Sequence, residues 1–316
     1  MKRIYYFFIL GLFAQQPISA QQYGIIASSI QLGGGGSNPG ILDTITNAGL
    51  AYSMRHLLST YTGNCMQIER ASDNTTSEIG FAGDTCDIAS INSFCSGTTC
   101  WVNIWYDQSG NGRDAYGMNY GSTTDNLPII YESGSITKNN GRVAIKITHP
   151  RAFVWTDTGT DIGDLLTGGA VNTDKKVTIS VVGLIGSTPT QPYLFSFDDN
   201  TDGTEILWWY SDGNARIEFV GTAASMGTGF TRSAQKNWIG QVDGNDFTGY
   251  ENGSTMGTST NGSVQNPTKT GIFARMGGGS FSSRNIEGFY QEVINWKTAE
   301  NITTIWNSCD AFWNIP

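Results

Sequence analysis

The sequence predicts an all-β protein, an antiparallel β-sandwich with short helices near its two ends. Three observations predict it. Among 316 residues there are 40 Gly and 12% aromatics but only 14% charged side chains, a composition that suits short strands and tight turns. A succession of short apolar or alternating runs is bounded by Gly, Asn, Asp and Ser. No strand–helix alternation, no fixed-period repeat and no second composition block breaks the chain, so one domain over Leu42 to Pro316 accounts for it.

The elements follow in order. Lys2 and Arg3 precede an apolar run from Ile4 to Ala14, and Ile18-Ser19-Ala20 forms a small-residue cleavage site. Residues 1–20 therefore read as a signal peptide, too short in its apolar part to span a bilayer, and the expected location is extracellular or at the cell surface. Residues 21–41 are a Gly-rich lead-in that contains Gly33 to Gly36 but lacks the Lys-Ser/Thr ending of a phosphate loop. From Leu42 to Tyr61, the residues Leu50, Met54, Leu57, Leu58 and Tyr61 recur at helical spacing and predict an amphipathic helix.

The expected strands are Trp101 to Tyr106, Val177 to Ile185, Tyr193 to Phe197, Glu205 to Tyr210, Arg216 to Val220, Trp238 to Val242 and Gly288 to Trp296. Turns at Asp198 to Gly203, Ser211 to Asn214, Asp243 to Asp246 and Asn252 to Ser254 separate several of them. A closing helix is predicted by Ile302, Ile305, Trp306, Cys309, Phe312 and Trp313, with Thr298 as its cap.

Export makes cysteine pairing the expectation. Cys95 and Cys100 enclose a short loop containing Gly97, which a local disulfide closes easily. Cys65 with Cys86 is the second expected pair, and Cys309 is left as a buried thiol on the closing helix. Zinc fits poorly, because the cysteine spacing is wrong and the chain has only two histidines.

A net charge of −9 and a pI near 4.7 exclude the basic surface that nucleic acid or an anionic membrane requires. His56 lies beside Arg55 in the helical pattern and His149 precedes Pro150 in an irregular stretch, so neither reads as a catalytic base. Paired carboxylates are the remaining chemistry, and they point to sugars.

Between Tyr61 and Asp114 several motifs stand in one order: Tyr61-Thr62-Gly63, Gln67 through Asn74, Glu78-Ile79-Gly80, Phe94 through Cys100, and Ile104-Trp105-Tyr106-Asp107-Gln108-Ser109-Gly110-Asn111-Gly112. This stretch resembles the catalytic domain of the arabinofuranosidase B family, and equally the non-catalytic modules of that type in bacterial and phage surface proteins. The resemblance implies a concanavalin-like sandwich (jelly roll), a retaining two-carboxylate mechanism and an arabinose-containing polysaccharide as ligand. The Tyr106–Gly112 turn itself reads as a strand exit in which Asp107 and Ser109 accept backbone N–H groups. Contact of Asp107 and Gln108 with ligand is the other reading of the same motif.

The resemblance places the acid/base aspartate just after a Gly-Gly pair ahead of the last strand, where this chain has Gly279. Glu218 is the nearest carboxylate for the nucleophile, with Glu205 one strand earlier, and Glu287 and Glu292 as substitutes on the approach to and within the last strand. Trp208-Trp209-Tyr210 sends Trp209 to the face opposite its neighbours, a candidate sugar-stacking platform. Asp198, Asn200 and Asp202 have half of a Ca²⁺-loop spacing, lacking the closing Glu; the same residues read equally as an acidic hairpin. No cofactor is required, and Ca²⁺ is the one ion the sequence suggests. Taken together, the sequence predicts a secreted binder of polysaccharide or cell-surface glycan that lacks the acid carboxylate. An active α-L-arabinofuranosidase is the alternative, and a structural subunit of an extracellular assembly is the third reading.

Overall fold

In the computed structural model of the chain, the described residues are 39–119, 127–148, 151–156, 176–187, 193–198, 207–211, 215–219, 222–225, 229–244, 246–260, 269–272, 276–277, 280–281 and 287–316. The chain divides into residues 1–36 and 37–316, and every described residue belongs to the second unit. The signal sequence, His149 and the positions of Asn200, Asp202 and Gly279 lie outside the described residues.

All pairings between described strands are antiparallel, and apart from three separate two-stranded ribbons most of them fall into two series. One runs from Thr76–Ile79 through Met66–Arg70, Cys100–Trp105, Ala115–Asn119, Arg151–Thr156, Lys269–Ile272, Tyr193–Asp198, Leu207–Ser211 and Ala215–Phe219 to Thr222–Ser225. The other runs from Ser254–Thr260 through Asp246–Glu251, Gln235–Asp243 and Lys176–Ile185 to the last strand, Gly288–Trp296, whose far edge carries Ala48–Ser53 and Ile145–Ile147. Ile129–Glu132 joins the series by pairing with both Cys100–Trp105 and Ile145–Ile147. The result is the predicted β-sandwich. Tyr52 of one series meets Trp105 of the other with ring centroids 5.7 Å apart, and Trp105 meets Phe153 at 5.5 Å. These fully buried rings mark the interior, where they pack among buried Ile, Leu and Val side chains.

The expected strands are present to within a few residues, the last one at its predicted limits Gly288–Trp296. The helix expected from Leu42 to Tyr61 is not formed. Only Ile41–Thr44 is helical, Asn47 turns the chain at φ 67°, and Ala48–Ser53 is a strand buried at every position. A strand covered on both faces loses its alternation, so its apolar residues mimic a helical period.

The closing helix spans Ile302–Trp313 and buries Ile305, Cys309 and Trp313, one residue per turn. Its N-cap is Asn301, whose Oδ1 accepts from Thr304 N–H at 3.0 Å, rather than Thr298. Thr298 instead accepts at its carbonyl from the Thr178 hydroxyl, holding the approach to the helix against the sheet. A short helix that the sequence reading missed, Ile88–Phe94, is capped by Asp87 and follows Cys86 closely. Disulfides Cys65–Cys86 and Cys95–Cys100 bracket it, each with Cα atoms 5.8 Å apart. Cys309 is the unpaired, buried cysteine among the described residues.

Candidate functional site

The Tyr106–Gly112 motif clamps the free edge of the strand Ala48–Ser53. Ala51 N–H donates to Asp107 Oδ1 at 2.8 Å, and Gln108 N–H donates to the Ala51 carbonyl at 2.7 Å, so the turn satisfies that residue as a neighbouring strand would. Asp107 also accepts from the N–H groups of Ser109 and Arg113 and from the Ser109 hydroxyl. Gln108 accepts from Leu57 N–H at 2.9 Å and donates to the carbonyls of Ser53 and Arg55. Asn111 Nδ2 reaches the carbonyls of Ala48 and Gly49. Gly110 and Gly112 take positive φ, 86° and 68°, as so tight a return requires.

Asp107 is 4% exposed and Gln108 is fully buried, and their polar atoms serve the backbone. Ser109 and Asn111 of the motif border a cleft of about 300 Å³ beside Asn47, Leu58 and Lys297. Of the two readings of this motif, structural turn and ligand contact, the hydrogen bonds of Asp107 and Gln108 are those of a structural brace.

The carboxylates separate cleanly. Glu218 is the fourth residue of Ala215–Phe219, opposite Trp208 on one neighbouring strand and Ala223 on the other. Trp209 pairs with Phe195 and Ile217, so its register differs from that of Glu218 by one residue. Glu292 is unfit as a substitute acid. It is fully buried, forms a two-pronged pair with Arg55, and accepts from the Ser53 hydroxyl and Trp313 Nε1. Glu287 lies at the entrance to the same strand, its carbonyl accepting from Gly186 N–H.

Of the Ca²⁺ residues only Asp198 is described, as the last residue of Tyr193–Asp198. Among the described residues no group of three potential metal ligands occurs.

Sequence reasoning missed the acidic cluster beside the clamp. Asp114 Oδ1 accepts from Asp107 N–H, yet the Asp114 carboxyl is held above its ordinary pKa, by burial first and then by the nearby Asp107 and Glu78 charges. Tyr61 is pushed up to about 12, by burial first and then by Asp114 and Asp107. Tyr106 is also raised, by burial and by its hydrogen bond to Glu78. The signal was present as Tyr61, Glu78, Tyr106 and Asp114, but only the fold brings them together.

Residues 44–173 match the family described as "Alpha-L-arabinofuranosidase B, catalytic". Alpha-L-arabinofuranosidase B of Emericella nidulans is 48% identical over 62 residues, and the Aspergillus oryzae protein of that name is 48% identical over 61. Each alignment covers 19% of this chain and 12% of the relative, so the chain matches a small part of those longer proteins. Two solved structures share the fold: an α-L-arabinofuranosidase soaked with a cyclic sulfate inhibitor (TM-score 0.62) and an arabinofuranosidase complexed with arabinofuranosyl-α-1,2-xylobiose (0.63). Both are 18% identical, and the likeness covers 85% of this chain and 63% of theirs. The chain is therefore related to the arabinofuranosidase B catalytic-domain family, by sequence over residues 44–173 and by its concanavalin-like sandwich over most of its length.

Proposed function

We propose that the protein acts on α-L-arabinofuranosyl groups, with Glu218 as the nucleophile of a retaining cleavage. The observation that carries this reading is the match of residues 44–173 to a catalytic-domain family, on a fold shared with solved arabinofuranosidases. In the proposed reaction the Glu218 carboxylate attacks the anomeric carbon. The bond to the leaving oxygen breaks with its electron pair on that oxygen, and water then hydrolyses the glycosyl ester. With Gly279 in the acid position, the leaving oxygen receives no proton from that residue, and general acid catalysis is typically worth about 10²–10⁴-fold. Substrates with good leaving groups are therefore the ones cleaved fastest. The test compares an aryl α-L-arabinofuranoside with arabinan, using the purified chain and Glu218→Gln. Aryl turnover that disappears in the variant supports the reading.

A second reading, binding of arabinose-containing glycan without hydrolysis, is favoured by Gly279 itself. It predicts retention on arabinan with no turnover on either substrate. Export is part of both readings, supported by residues 1–20 and by two disulfides that need an oxidising compartment. Among the described residues no helix is long and apolar enough to cross a membrane. Ca²⁺ at the turn after Asp198 is proposed as a structural ion. Its test is a rise in melting temperature with millimolar Ca²⁺ that EDTA reverses.

A further inference from the structure

The outer face of the strands Thr76–Ile79, Met66–Arg70, Cys100–Trp105 and Ala115–Asn119 carries an ordered row of side chains that the clamp and the proposed cleavage do not use. Glu78 stands directly opposite Gln67, Gln67 opposite Ile104, and Ile104 opposite Tyr116. Residues paired across an antiparallel sheet share a face, so these four form one line across four strands, about 14 Å at the usual strand spacing.

The line ends on Tyr116, which is 51% exposed and the one large hydrophobic side chain exposed among the described residues. Its polar end is held in place from several sides. Asn103 Nδ2 donates to Gln67 Oε1 at 2.6 Å, and Gln67 Nε2 donates to Glu78 Oε1 at 2.7 Å. Tyr106 O–H donates to the same oxygen at 3.1 Å, and Asn64 Nδ2 donates to Glu78 Oε2 at 3.0 Å.

We infer that this row is a carbohydrate-binding strip for an uncharged glycan, separate from the strand that bears Glu218. An exposed tyrosine ring offers an apolar face for the C–H side of a sugar ring while its hydroxyl stays wet. The second N–H of Gln67, the Asn103 carbonyl oxygen and the remaining lone pairs of Glu78 offer donors and acceptors for sugar hydroxyls. Because the amide–carboxylate chain is already ordered by its own hydrogen bonds, little side-chain freedom remains to be lost on binding.

Charge selects the class of ligand. Among the described residues the donors to Glu78, namely Asn64, Gln67 and Tyr106, are neutral, and Asp114 adds a second carboxylate nearby. An anionic polysaccharide is repelled by that pair, whereas a neutral one is not.

The test is native affinity electrophoresis of the full chain in gels containing debranched arabinan, arabinoxylan, xylan or polygalacturonate. Retardation by at least one neutral polysaccharide, and none by polygalacturonate, is expected. Tyr116→Ala should weaken that retardation by roughly tenfold or more. Tyr116 is half exposed, so an unchanged melting temperature shows that the variant is folded. Retardation unchanged in Tyr116→Ala, no retardation by any neutral polysaccharide, or retardation by the anionic one overturns the inference. Hydrolysis of the aryl arabinofuranoside, measured on the same samples, reports separately on Glu218 and should be unaffected by Tyr116→Ala.

Discussion

Arg55 and Glu292 form a buried two-pronged ion pair, Nε to Oε2 at 2.6 Å and Nη2 to Oε1 at 2.8 Å, beneath the closing helix. Arg55 follows the strand Ala48–Ser53, Glu292 is in the last strand, and Arg55 also donates to the carbonyl and hydroxyl of Ser308. Cys309 and Trp313 of the same helix contact Glu292. The pair therefore joins two strands and a helix at one point. Burial alone disfavours the Arg55 charge, but Glu292 more than compensates and holds its pKa above the usual value.

Removing one partner leaves the other charged and buried. Arg55→Met is expected to lower unfolding free energy by about 3–5 kcal/mol. Arg55→Met combined with Glu292→Leu should recover most of that loss. Urea denaturation of the two variants checks it; equal losses would show that the helix is held by its apolar residues alone.

Gln108 predicts a similar sensitivity within the clamp. Gln108→Leu keeps the volume but leaves Leu57 N–H and the carbonyls of Ser53 and Arg55 without their partner. At about 1–3 kcal/mol per buried unsatisfied group, the three groups give an expected loss of roughly 3 kcal/mol or more, read by the same denaturation experiment. A loss below about 1 kcal/mol would mean that water replaces the amide.

Asp114 predicts a gain in stability. Its folded pKa lies above the ordinary carboxylate value, so ionisation at neutral pH costs the native state, and the cost vanishes below the unfolded pKa. Asp114→Asn retains an oxygen to accept from Asp107 N–H while removing the charge. Its melting temperature should exceed that of the parent at pH 7 and converge with it as pH falls below about 4. A difference independent of pH would contradict the electrostatic origin.

Thiol chemistry gives a further check. Cys309 is fully buried, and burial, with the Glu292 charge adding to it, pushes its pKa well up. The native protein should not react with iodoacetamide, and the unfolded, unreduced protein should be alkylated at Cys309. Peptide mapping should recover the pairs Cys65–Cys86 and Cys95–Cys100.

The sandwich was legible because its strands are short, apolar and bounded by turn residues, as in Gly288–Trp296. The strand Ala48–Ser53 was not, because burial of both faces erased the two-residue period, and its partner edge is provided by side chains of a distant turn. Asp107 stood out in sequence as a turn residue accepting backbone N–H groups, and the structure has it so, but nothing local named the distant strand Ala48–Ser53 as the donor or gave Gln108 its partners. Glu292 looked like any strand carboxylate, since nothing local announces that Arg55, far away in sequence, neutralises it. The outer row was invisible for a related reason: Glu78, Gln67, Ile104 and Tyr116 share a face only through strand register.

The central claim is tested most directly by the rate of aryl α-L-arabinofuranoside hydrolysis in the purified chain and in Glu218→Gln. The account predicts measurable turnover in the parent, loss of about a thousandfold or more in the variant, and much slower release of arabinose from arabinan. Absence of aryl turnover in the parent, or turnover that survives Glu218→Gln unchanged, would contradict it.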